Sequence, residues 1–313
     1  MKKIHIRRTI IIVIILTFIA LLLASFSEHL KNPTISGINT NQKQTQNNPF
    51  QNISVEAQAV YIYDITTGKV IYQKDADNPR PLASLTKLAA IFTAAKSVPL
   101  QTTVTITPTD ILSEGDTGLM PGEDWSLQDL IEFSLVTSSN DGITAIARTV
   151  GEILATTTVD DDNAATQVFV DKMNQTAKGL GLTHTIFSDP TGLDLSTTTA
   201  GAFGSAKDVA TLISDIVKSY PDLIEDTGKS KSVFHSSQST HIATNTDTEL
   251  PNIPSVLASK TGYTDLAGGN LAVIFDVGFM HPVVAVVLGS SYDARFSDME
   301  TLVQATLQEF VQN

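Results

Sequence analysis

Ser84 and Lys87 stand three residues apart in the stretch Pro81 to Phe92, PLASLTKLAAIF, which otherwise reads as a buried helix. Positions i and i+3 share a helix face, so the amine lies one turn from the hydroxyl, beside Leu88 and Ile91. An amine among apolar neighbours loses solvation, and its pKa falls. Once neutral it can take the proton of a nearby hydroxyl, which makes Ser84 an activated nucleophile. Free backbone N–H groups at a helix start would favour the negative charge that then develops. The same residues also describe an N-cap serine and a snorkelling lysine, and alone they do not separate the two.

Two further patterns shift that balance. Ser138-Ser139-Asn140 falls between two helical stretches, where a hydroxyl can relay a proton and an amide can hold a carbonyl. Helix capping would use the same residue types. Lys260-Thr261-Gly262 precedes a late pair of strand-like runs. A lysine beside a threonine hydroxyl suits a carboxylate, and the glycine lets a peptide backbone approach a strand edge closely. Each pattern is weak singly. In the order Ser-x-x-Lys, Ser-x-Asn, Lys-Thr-Gly, each occurring once, they are a strong signal together.

Competing chemistries lack an anchor. Asp226 to Ser230, DTGKS, resembles the end of a phosphate-binding loop, but Leu223 takes the place of the first glycine. The six histidines form no His-Glu-x-x-His, and His235 and His241 have no evident carboxylate partner in the sequence. There is no Gly-x-Ser-x-Gly elbow, and Val159 to Asn163, VDDDN, reads as a helix cap. With no cysteine, disulfides and thiolate chemistry are excluded. The chain carries 20 basic and 33 acidic residues, and the first 31 are the basic part, so the remainder is strongly acidic. That argues against a nucleic-acid partner, which needs a basic face.

The elements that must position these residues follow from periodicity. Lys2, Lys3, Arg7 and Arg8 precede an apolar run from Ile10 to Phe26. It reads as an uncleaved membrane anchor, with a cleavable signal as the alternative; the basic flank places the rest outside the cytoplasm. Residues 1–27 form that segment, the Asn/Gln/Thr/Ser-rich residues 28–54 a flexible tether, and 55–313 the folded domain, beginning near Val55. AVYIYDITTGKVIYQKD predicts a hairpin around Thr67-Gly68, and TVTIT a short strand. Helical patterns then run from Ser126 to about Leu180 and from Ser205 to Tyr220. NLAVIFDVGF and PVVAVVLGSS predict two antiparallel strands, and an amphipathic helix closes the chain. The fold expected is α+β: an antiparallel sheet from N- and C-terminal segments, flanked by helices, with a mainly helical lobe inserted between them.

On these residues the chain resembles the active-site-serine D-Ala-D-Ala carboxypeptidases, low-molecular-weight penicillin-binding proteins with a serine β-lactamase-like fold. The similarity extends to the stretch before the nucleophile, to FSDPTGLD (Phe187 to Asp194), to TNTDTEL followed by SKTGYTDLAGGNLA, and to SSYDARFSDMETL, over about residues 57 to 312. It implies that Ser84 attacks the penultimate D-alanine of a peptidoglycan stem peptide and that Lys87 is the activating base. It implies that Ser138, supported by Lys260, passes a proton to the leaving amine, and that Asn140 orients the peptide. It implies that Thr261 and Arg295 meet the terminal carboxylate. Gly262 lets the substrate approach, and the N–H groups of Ser84 and Tyr263 form the oxyanion hole. The resemblance also implies that no metal or cofactor is needed and that β-lactams are covalent inhibitors. The chain departs from the family at Leu257-Ala258, where a glycine is usual, and in having no downstream β-domain after the last helix. Alternatives on the same fold are a DD-endopeptidase, a class A-type β-lactamase and a non-catalytic wall-binding relative. The β-lactamase needs Glu-x-x-x-Asn, which Glu152, Glu225 and Glu249 do not supply.

Overall fold

The strand run AVYIYD folds back on itself because Asp64 organises the turn that follows it. Its carboxylate accepts the backbone N–H groups of Thr66 (2.9 Å) and Thr67 (3.0 Å), and Gly68 takes a φ of +75°. This joins β1 (Ala59–Asp64) to β2 (Val70–Lys74), the predicted hairpin. The computed structural model describes residues 48–312, except 113, 116 and 156–160. The predicted membrane segment, and the tether up to residue 47, lie outside the described residues. Among the described residues no helix is long and apolar enough to cross a membrane. Packing begins earlier than Val55, because Phe50 stacks on Tyr72 of β2 at 4.8 Å between ring centroids.

After β2 the chain runs through β3 (Arg80–Pro81) and a 3-10 turn, Ala83–Leu85, into α1 (Thr86–Ser97). Every residue of α1 from Thr86 to Ala95 is buried, so this is a core helix rather than a surface helix. β4 (Thr103–Thr105) pairs with β5 (Asp124–Ser126), and Ser126 caps α2 (Leu127–Thr137) by accepting the Asp129 N–H. α3 (Asn140–Leu154) follows after two residues, capped by Ser139. α4 (Asp162–Gly179) is capped by Asp161, as the VDDDN stretch suggested. Short strands β6 (Ile186–Phe187) and β7 (Ala202–Gly204) join β3 in a small sheet, before α5 (Ala206–Ser219) and the single turn α6 (Asp222–Glu225).

The ribbon of β8 (Lys231–His235) and β9 (Thr240–Thr244) comes next, then β10 (Val256–Thr264), β11 (Gly268–Asp276), β12 (Pro282–Ser290) and α7 (Ala294–Gln312). His241 of β9 does have a carboxylate partner: Glu123 stands 3.0 Å from its Nε2, in a cluster with Trp125 and Phe133. The separation of 118 residues hid it from the sequence.

The main sheet has the order β10-β11-β12-β1-β2, all antiparallel, so strands from the two ends of the chain meet at the β1/β12 pair. Both faces are covered, and the strands read as apolar runs for that reason. Along β12 alternate residues part company: Val283, Ala285 and Val287 pack with Met299, Leu302 and Val303 of α7. Val284, Val286 and Leu288 face the cluster formed with α1 and the helical lobe. The expected α+β plan is the observed one. Its consequence for function is that β10 is an edge strand lying against the turn that precedes α1.

Candidate active site

The nucleophile turn is fastened before it is aimed. Asn270 of β11 donates through Nδ2 to the carbonyls of Pro81 and Leu82, both at 3.0 Å, and accepts the Gly289 N–H at 2.8 Å. Ala83 then takes a φ of +48°, a left-handed conformation costly for a residue with a Cβ. Ser84 follows in the 3-10 turn, and Lys87 sits in the first turn of α1, fully buried. The i, i+3 geometry expected from the sequence holds: Lys87 Nζ lies 2.8 Å from Ser84 Oγ.

Two more partners complete the shell of that amine. Asn140 Oδ1 is 2.7 Å away and the carbonyl of Thr191 is 2.9 Å away. Burial pushes the Lys87 pKa down to about 7, with the carboxylate of Asp189 as the smaller, opposing influence. A neutral amine has two N–H donors and one lone pair. The amide oxygen and the carbonyl can only accept, so they take the two donors, and the lone pair is left facing the Ser84 hydroxyl. The surroundings of Lys87 therefore orient it as a base.

Ser138 ends α2 in the left-handed region, with φ 58° and ψ 34°. That single residue turns the chain so that Ser139 caps α3 and Asn140 opens it. The Asn140 amide is held at both ends, by Lys87 and by the carbonyl of Glu114 at 2.5 Å, which leaves one N–H for a substrate carbonyl. Lys260, on β10, donates to Ser138 Oγ at 2.9 Å and to the Thr261 carbonyl at 3.0 Å. Its pKa is held well below the ordinary lysine value by burial, then by the charges of Lys87 and Arg295, with Asp247 opposing. Two hydroxyl–lysine pairs thus stand in one cleft.

Beyond them, the Thr261 hydroxyl is 2.6 Å from that of Thr246. Gly262 packs closely on the nucleophile turn: a Cβ there would stand 3.2 Å from the Ser84 nitrogen and 3.1 Å from the Leu82 carbonyl, so the turn would have to give by a few tenths of an ångström. Tyr263 is partly exposed and meets Tyr292 edge-on, with ring centroids 5.0 Å apart. Arg295 is 4% exposed; its guanidinium lies over the rings of Tyr292 (4.3 Å) and Phe296 (4.6 Å) and donates to the Gly262 carbonyl at 3.3 Å. It borders the strand edge from behind.

Of the nine predicted residues, hydrogen bonds join Ser84, Lys87 and Asn140, and Ser138 with Lys260; Thr261, Gly262 and Tyr263 continue β10 from Lys260, and Arg295 reaches only the Gly262 carbonyl from behind. The sequence reading did not single out Thr191, Thr246 or Asn270. Thr191 and Asn270 act through backbone groups, theirs or others', and leave no side-chain pattern to find. The loop carrying Thr191 is built by Asp189, which accepts the N–H groups of Thr191 and Gly192 at 2.8 Å each.

A buried lysine against a serine, with a second lysine–serine pair opposite and an edge strand alongside, has the parts that acyl transfer to a serine uses. The chain belongs to the peptidase S11 family, D-alanyl-D-alanine carboxypeptidase, which matches residues 41–292. It is 28% identical over 243 residues to D-alanyl-D-alanine carboxypeptidase DacF of Bacillus subtilis, covering 75% of this chain and 58% of that protein. The chain thus spans less than two thirds of that relative. A D-alanyl-D-alanine endopeptidase of Pseudomonas aeruginosa is 28% identical over 233 residues, 72% of this chain and 69% of the other. The fold is similar to that of penicillin-binding protein D2 of Listeria monocytogenes in its ampicillin-bound form, with TM-score 0.66, 26% identity, and 81% and 98% of the two chains covered.

Proposed function

We propose that this chain is a serine D-alanyl-D-alanine carboxypeptidase acting on peptidoglycan stem peptides. The observation that carries the reading is the fully buried Lys87 amine 2.8 Å from Ser84 Oγ, with a pKa near 7. Ser84 Oγ adds to the carbonyl carbon of the penultimate D-alanine as its proton passes to Lys87 Nζ. The oxyanion is met by the backbone N–H groups of Ser84 and Tyr263. Collapse breaks the C–N bond, and the leaving amine takes a proton through Ser138 Oγ, which Lys260 holds in place. The released D-alanine keeps its carboxylate at Thr261 and Arg295. Water then cleaves the Ser84 ester, with Lys87 as base again.

A β-lactam ring opens by the same first step, so penicillins would acylate Ser84. Among the described residues Lys87 is hydrogen-bonded to the Ser84 hydroxyl, the Asn140 amide and the Thr191 carbonyl, and no carboxylate bonds either residue to activate a deacylating water. A persistent adduct is therefore expected in place of β-lactamase turnover. The basic flank and apolar run of residues 2–26 support an N-terminal anchor, with the folded body on the outer face of the cytoplasmic membrane.

The test is whole-protein mass spectrometry after incubation with a penicillin, followed by assay of D-alanine release. A lasting adduct on the wild type, absent from Ser84→Ala, together with D-alanine release is the expected result. Rapid loss of penicillin without an adduct would make the chain a β-lactamase, and intact penicillin without an adduct would end the catalytic reading. Retention of the full chain in membranes after a high-salt wash is expected, and its release would overturn the anchor.

A further inference from the structure

Next to Thr261 the surface opens into a cavity of about 340 Å³ between the loop before β10 and the start of α7. Thr246 is the shared wall, since it lines the cavity and its hydroxyl bonds Thr261. Tyr292 and Phe296 form another wall, and Arg295 lies against their rings without lining the cavity itself. Glu249, Asp293 and Glu300 also line it, and no lysine or arginine does. Glu249 is engaged by the Asn252 amide at 2.5 Å and Glu300 by the Gln304 amide at 3.3 Å. Both donors are neutral, so neither charge is cancelled, whereas the charge of Asp293 is partly offset by Arg295, on which it acts electrostatically. Among the described residues none of the three carboxylates holds an ion pair.

The site therefore has two adjoining parts of opposite preference. Thr261 and Arg295 favour an anion; Arg295 is 4% exposed, and its Nε has no hydrogen-bond partner. The cavity beside them favours a cation. A residue whose carboxylate is held at Thr261 has its side chain within reach of that cavity. The methyl of D-alanine leaves such a space empty, whereas a chain of several methylenes ending in an ammonium fills it and reaches the carboxylates.

We propose that this cavity is the subsite for the released residue and is built for a D-amino acid with a long basic side chain. The substrates added are peptides ending in D-alanyl-D-lysine or a comparable D-diamino acid. This rests on the reading that Ser84 cleaves a D-alanyl bond with the released carboxylate at Thr261. The bonds made and broken are those of the reaction above; only the released amine differs.

The experiment compares release of the final residue from acyl tripeptides ending in D-Ala-D-Ala, D-Ala-D-Lys, D-Ala-D-norleucine and D-Ala-D-Glu. Norleucine matches lysine in length without its charge. The expected kcat/KM ratio of D-Lys over D-norleucine is roughly two- to fivefold, the scale of partly exposed ion pairing, with D-Glu slowest. About 0.5 M salt should shrink that ratio. Glu300→Gln and Asp293→Asn should each lower it, and Glu300→Lys should favour D-Glu over D-Lys. Thermal melts establish that each variant is folded, and the salt series on the wild type needs no variant at all. Equal rates for D-Lys and D-norleucine, with D-alanine still released from D-Ala-D-Ala, would overturn the subsite and leave the activity standing. Release from none of the peptides would overturn the activity and the subsite together.

Discussion

Lys87 is the residue on which catalysis and stability pull in opposite directions. Its pKa is near 7 in the folded chain and 10.5 when solvated. Between those values the unfolded chain holds a proton that the folded chain lacks, so stability rises with pH through that window. Below pH 7 both states hold it and the cost is complete, at most roughly 5 kcal/mol from the size of the shift. Lys87→Met should reduce the slope, leaving the part that the buried Lys260 contributes with the same sign. Urea midpoints at pH 6.5 and 9.5 should rise together less in the variant than in the wild type, and equal changes in both would mean that Lys87 is not neutral in the fold. The catalytic sign is the same: acylation of Ser84 by penicillin should increase as pH rises through about 7, and Lys87→Met should abolish it at every pH. A flat pH profile in the wild type would remove Lys87 as the base. The residue types at this site were legible in the sequence because each motif is short and carries its chemistry in side chains. What was not legible is what makes Lys87 a base: the Thr191 carbonyl, 104 residues away, belongs to the backbone and any residue type could have supplied it.

At the scale of elements, the loop after β6 acts as a brace for the nucleophile turn. Gly192 has a φ of +84°, and a Cβ there would stand 2.0 Å from the Ala83 carbonyl and 2.5 Å from Thr86 Oγ1. The loop therefore touches both sides of Ser84 in sequence while presenting Thr191 to Lys87. Gly192→Ala should push loop and turn apart, and a displacement near 1 Å at the reacting groups costs on the order of 100-fold in rate. The measurement is the second-order rate of penicillin adduct formation; a variant that still melts cooperatively and reacts within threefold of wild type would show that the brace is unnecessary. The sequence flagged this loop only by family resemblance, since strands of two residues such as β3 and β6 carry no periodicity. The long elements were readable for the opposite reason. The β1/β2 hairpin, the run of β11 and β12, and α2 through α5 all alternate or repeat over enough residues to fix their type.

Across the whole molecule, the five-stranded sheet that carries Lys260 is completed where β1, early in the described chain, pairs with the late strand β12. Asp298, in the first turns of α7, joins them: it accepts the N–H groups of Glu56 (3.0 Å) and Ala57 (2.8 Å) and the hydroxyl of Ser290 (2.7 Å). The carboxylate is 5% exposed, so its three donors have little access to water in its place. Asp298→Ala leaves the Ala57 N–H unpaired against the core, at a cost of about 1–3 kcal/mol for each buried donor stranded. The β1/β12 pair lies in the middle of the five-stranded sheet, and residues on its two faces belong to both hydrophobic clusters. Loosening that closure should therefore weaken the helical lobe and the sheet together. Denaturation of Asp298→Ala, followed by tryptophan fluorescence at Trp125 and by far-ultraviolet dichroism, should give one coincident transition at a lower midpoint. Trp125 belongs to the lobe, whereas dichroism reports the whole chain, so transitions that separate would show that the lobe stands without the sheet. The variant that remains folded should still form the penicillin adduct, because no bond of Asp298 reaches Ser84, Lys87, Ser138 or Lys260.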